Sequence, residues 1–102
     1  MVTIEIPASI VEVLKEMERT KPLEQKFREL IIREVEGRIL RYEMMIEFFE
    51  SKYGMGFKDF DERGIVEKLG HTWDVERDYF DWEMAVTELE YLKEALRRLT
   101  SN

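Results

Sequence analysis

The sequence predicts a mainly α protein: a helical bundle or long helical hairpin with a short N-terminal strand, completed by a second copy of the chain. Apolar residues recur at steps of three and four over two long stretches, 22–53 and 73–99. Proline and glycine punctuate the chain around them. One short period-two alternation precedes them at Val2, Ile4 and Ile6. The 102 residues suit a single helical domain, 1–102.

Val2, Ile4 and Ile6 alternate with Thr3 and Glu5, and Pro7 closes the expected strand. Its backbone groups require a partner strand. Pro7 and Ser9 then open a helix to about Arg19, with Ile10, Val13, Leu14 and Met17 on one face. Thr20-Lys21-Pro22 interrupts it, and Pro22 suits a helix first turn, where its missing N–H costs nothing.

The next helix spans roughly 22–53, with the stripe Phe27, Ile31, Val35, Ile39, Tyr42, Ile46, Phe49, Tyr53. Gly37 weakens it by about 1 kcal/mol relative to Ala and marks a kink or a close helix crossing. Gly54 suits a C-terminal cap. Met55 to Gly70 reads as a connector of one or two short helices, broken at Gly64 and anchored by Phe57, Phe60, Ile65, Val66 and Leu69. Thr72 is a good N-cap for a final helix from Trp73 to about Leu99. Its first turns are acidic and its end holds Lys93, Arg97 and Arg98, which complements the helix dipole. Val75, Tyr79, Trp82, Val86, Leu89 and Leu96 form its main stripe, and Trp82 is expected beneath the connector or across a homodimer.

At about 1.5 Å per residue the two long helices span roughly 48 and 40 Å. A compact ball cannot hide such stripes. Antiparallel pairing of the two, extended in a homodimer or larger assembly, is the expected solution. Val2, Ile4, Ile31, Val35 and Ile39 are the expected contacts between copies.

Composition excludes several functions. Cysteine is absent, so disulfides, thiolate metal sites and a Cys nucleophile are absent too. His71 is the single histidine, and position 68, three residues before it, is Lys, so no Glu-x-x-His metal pattern exists. No phosphate loop, dinucleotide glycine pattern or nucleophile elbow occurs. The expectation is a protein that is not an enzyme and carries no cofactor or metal. No apolar run approaches the roughly 20 residues of a membrane span, and Met1 to Pro7 lack a signal-peptide pattern. A cytoplasmic, membrane-free location is expected. The charged fraction of 38% without cysteine fits a protein from a hot environment.

The net charge is −7, unevenly spread. Residues 1–54 carry 11 acids and 9 bases, net −2; residues 55–102 carry 12 acids and 7 bases, net −5. Within 71–90, seven acids face only Arg77. Phosphate neutralisation supplies most affinity for nucleic acid, so the free chain is expected to bind none. A basic protein partner fits better. Trp73, Phe80, Met84 and Tyr91 form a second apolar line off the main stripe of the last helix. Such a line either packs under the connector or, if exposed among acids, anchors a partner. Trp73, Phe80 and Met84 as anchors and Asp74, Asp78 and Asp81 as charged rim make the candidate partner site. His71 is assigned to the connector turn.

Two stretches carry resemblances. Val2-Thr-Ile-Glu-Ile-Pro7 followed by helix, turn and helix resembles ribbon-helix-helix proteins over about the first 40 residues. That resemblance implies a ribbon shared by two chains, with Thr3 and Glu5 at the positions that face DNA. Glu5 and Thr20-Lys21-Pro22 depart from the basic or amide readers and glycine turn of that family. The second stretch is Tyr53-Gly-Met-Gly-Phe-Lys-Asp-Phe60 followed by His71-Thr-Trp-Asp-Val-Glu-Arg-Asp-Tyr-Phe-Asp-Trp82. It resembles small antitoxin-like proteins of prokaryotes, common in heat-loving archaea, over roughly residues 40–90. Gly56 stands where Ser is usual. The resemblance implies a cognate toxin, often a ribonuclease, encoded alongside; a ribonuclease needs a basic surface, which an acidic helix with aromatic anchors can cover. The alternatives are a structural, oligomeric helical module and a ribbon-helix-helix type DNA-binding regulator.

Overall fold

The computed structural model describes residues 2–101. Among them are five helices and no strand: α1 (Ala8–Met17), α2 (Leu23–Tyr53), α3 (Phe57–Glu62), α4 (Ile65–Lys68) and α5 (Trp73–Thr100). The fold is mainly α, as the periodicity predicts. The chain divides into two compact units, one ending at Glu34 and one beginning at Val35.

In the first unit, residues 2–7 are not helical and pair with no strand. The strand expected here is not formed in the single chain, because a ladder needs a second strand. The Pro7 carbonyl accepts from the N–H groups of Ile10 (3.0 Å) and Val11 (3.3 Å) and so opens α1. The Glu18 N–H donates to the Leu14 carbonyl at 3.0 Å, closing it. The Glu18 carboxylate then accepts from the Thr20 N–H at 3.1 Å and from its hydroxyl at 2.7 Å, which fixes the turn. Those bonds hold Glu18 below the ordinary carboxylate range. Lys21 reaches Glu29 at 2.9 Å across the start of α2. Leu14 is the buried side chain of α1, whereas Ile10, Val13 and Met17 are exposed.

The second unit is built around Trp82, which has no exposed surface. Phe49 and Tyr53 of α2 stack on its ring at centroid distances of 5.5 and 5.9 Å. Phe57 and Phe60 of α3 close on it at 5.4 and 5.1 Å. Ile65 and Val66 of α4 pack against the same cluster. Trp82 therefore lies beneath the 55–70 connector, as expected. Its indole N–H finds no acceptor among the described residues. From Phe49 to Tyr53 the facing positions on α5 fall from Trp82 to Asp78. The end of α2 and the first half of α5 thus meet through Phe49, Tyr53, Asp78 and Trp82.

Gly54 ends α2 at φ 69, its N–H bonded to the Glu50 carbonyl at 2.8 Å. Gly64, at φ 62, separates α3 from α4. Any residue with a Cβ is strained in this left-handed region. A Cβ at Gly37 would meet nothing within 4 Å, so no close crossing explains that glycine. The Thr72 hydroxyl accepts from the Val75 N–H at 3.4 Å and caps α5. Asp74 and Glu76 in the first turn and Arg97 and Arg98 in the last complement the dipole. No described helix is long and apolar enough to cross a membrane.

Candidate protein-docking surface

An α-helix turns by about 100° per residue, so Trp73, Phe80, Met84 and Tyr91 lie within about 20° of one line. The same count puts that line about 180° from Trp82. The core face and this line are thus opposite sides of α5. Trp73 is 75% exposed, Phe80 65%, Tyr91 60% and Met84 39%. Single exposed apolar residues are ordinary; here three aromatics and a methionine share one outward face of α5.

The three expected rim carboxylates separate. Asp74 is exposed, with Arg77 at 3.7 Å. Asp81 is half-buried. Asp78 turns inward and is 6% exposed. Lys52 bonds its Oδ2 at 2.6 Å, and the Tyr53 hydroxyl donates to the same oxygen. Burial pushes the Asp78 carboxyl up, but these two hydrogen bonds and the charges of Lys52 and Arg77 outweigh it and hold it below its ordinary value. The Tyr53 phenol is pushed up by burial and by Asp78. Asp78 is therefore a clamp between α2 and α5, not a rim residue. Its spacing signals this, since residue 78 shares a face with Trp82 four positions on.

The His71 imidazole Nδ1 lies 3.1 Å from Glu76. Its backbone is left-handed, φ 52, and its N–H donates to the Val66 carbonyl at 3.0 Å. This is a turn role, as expected. A cavity of about 280 Å³ is lined by Phe60, Ile65, Val66 and Phe80 together with the acids Asp61, Glu67 and Glu76. The Tyr79 hydroxyl on its lining donates to Asp61 at 2.9 Å. That bond, burial, and the Asp61 and Glu83 charges push the phenol up to about 12. No signal in the sequence marks this cavity, because it depends on how α4 lies against α5. Among the described residues no group of three His, Asp or Glu could hold a metal ion.

Of the residues expected between copies, Val2 (86% exposed), Ile4 (76%) and Ile31 (51%) are open in the single chain. Ile39 is half-buried. Val35 is buried within its own chain and offers little surface to a second copy. Comparison with known protein families, curated proteins and solved structures finds no match to this chain.

Proposed function

We propose that the chain is a non-enzymatic, antitoxin-like protein that docks and neutralises a basic partner protein through the outer face of α5. The observation that carries the reading is the exposed line Trp73, Phe80, Met84, directed away from a core already complete without it. Aromatic side chains give affinity by burial, and carboxylates beside them select and steer a basic surface. The resemblance of the 53–60 and 71–82 stretches to antitoxin-like proteins supports a toxin as that partner. The test is co-expression with a basic protein encoded beside this chain. The wild-type chain relieves growth arrest and co-purifies with it, while Trp73→Ala with Phe80→Ala loses both and keeps its helical content. Retention of binding by that double variant would sink the reading.

A second part of the reading concerns self-association. Val2, Ile4, Ile10, Val13 and Met17 are all exposed in the single chain. Fully covering a Val, Ile or Met contributes about 1.5–3 kcal/mol. A second copy pairing residues 2–6 would cover them and satisfy their backbone groups. Sedimentation at tens of micromolar reads this directly, and a monomer there removes it. The free protein binds no duplex DNA at physiological salt, given its net charge of −7 and Glu5 at the ribbon; a gel shift at sub-micromolar protein would contradict that.

A further inference from the structure

The outer face of α5 has a seven-residue register. Along its centre run Trp73, Arg77, Phe80, Met84, Thr87 and Tyr91, at alternating steps of four and three. This is the seam spacing of a coiled coil. Flanking it on one side are Asp74, Asp81 and Glu88, spaced by seven. On the other side are Glu76, Glu83 and Glu90, also spaced by seven. All six flanking positions are therefore acidic over nearly three heptads. Trp82 occupies the position opposite the seam and is fully buried, so the fold presents this face outward.

Flanking charges choose the partner of such a seam. A second copy of the same face would set carboxylates against carboxylates in either orientation, which repels. A basic loop would meet the charges but leave a straight apolar line about 27 Å long, from the rise of about 1.5 Å per residue, incompletely covered. A helix fits both features. Arg77 sits in the seam with Asp74 at 3.7 Å and is 56% exposed. A polar seam residue of this kind fixes register against the partner.

We infer that α5 is one strand of a heterotypic coiled coil, and that its partner is a helix with an apolar seam and Lys or Arg along both flanks. The inference rests on the docking reading above and specifies the shape of what docks.

Three synthetic peptides of equal length, added to the full chain, test it. All share a leucine–isoleucine seam. One carries lysine flanks, one glutamine flanks, and one lysine flanks with a central proline that breaks the helix. The lysine peptide should bind one per chain, gain helicity on binding and weaken as salt rises. Its affinity should exceed that of the other two by about tenfold or more, and Trp73→Ala with Phe80→Ala should remove that advantage. Equal binding of the lysine and glutamine peptides would overturn the charge pairing. Equal binding of the lysine peptide and its proline version would overturn the helical partner while leaving basic docking intact. Failure of the lysine peptide, with the natural basic partner still bound through Trp73, would overturn the inference alone.

Discussion

Around Trp82, four aromatic rings from α2 and α3 close on one side chain, and Asp78 is clamped by Lys52 and Tyr53 beside them. In the first 34 residues, by contrast, Leu14 is the buried side chain of α1, while Ile10, Val13 and Met17 of the same helix face outward. Both regions are helical and both are patterned. They differ in where the apolar surface goes. Ordering each residue costs about 1–2 kcal/mol of backbone entropy, which burial must offset. The region around Trp82 meets that cost inside the chain. The first region leaves most of its stripe exposed.

The two buried centres, Trp82 and Leu14, should respond differently to truncation. Trp82→Ala should cost about 3–5 kcal/mol, seen as loss of near-ultraviolet circular dichroism in urea, because four rings lose their common contact. Leu14→Ala should leave that aromatic transition in place. If Leu14→Ala shifted it as far, the two regions would be energetically one.

Asp78→Asn comes next, with an expected loss of about 1.5–3 kcal/mol from weakened bonds to Lys52 and Tyr53. Its pH dependence has a definite sign. The folded carboxyl titrates below its ordinary value, so its stabilisation is present above the unfolded pKa of about 3.9 and is lost as pH falls through the lower folded value. The gap between wild type and Asp78→Asn should therefore be constant near neutrality and close below about pH 4.

A smaller effect of opposite sign is expected at Gly37. A Cβ there meets open space and the residue is helical. Gly37→Ala should raise stability by about 0.5–1 kcal/mol in thermal unfolding. A loss would mean the glycine is needed for a contact with another molecule.

The smallest effect is spectroscopic. Asp61 is the main cause of the Tyr79 phenol lying at about 12. A raised phenol favours the neutral form in the fold, so its contribution is intact below about pH 10 and fades as pH climbs. In Asp61→Asn, the phenolate absorbance of Tyr79 should rise at lower pH than in the wild type. An unchanged titration would remove the Asp61 bond as its cause.

Most of the secondary structure was legible in the sequence. The stripe from Phe27 to Tyr53, Thr72 before Trp73, and the breaks at Gly54 and Gly64 each carry a local physical cause, and each helix ends within about two residues of its expected place. The position of Trp82 was legible as well, because it lies on the main stripe with Val75, Tyr79 and Val86. The inward turn of Asp78 was not taken from the acid-rich run, although its four-residue offset from Trp82 encoded it. Which of two apolar lines on α5 stays exposed was beyond sequence alone. Both have helical spacing, and only the packing of α3 and α4 over one of them decides it. The strand expected at 2–6 is not formed in the single chain, because its alternation finds no neighbouring strand to pair with.

The two tryptophans lie on opposite faces of one helix, Trp73 75% exposed and Trp82 fully enclosed. Light emitted from a watery indole is redder than light from an enclosed one. The chain thus carries two built-in optical probes about two and a half turns apart on α5. With Trp73 changed to Phe, the remaining emission reports only whether the aromatic cage is closed. With both present, a blue shift at constant cage signal would time the docking of any molecule added against the outer face, with no label attached.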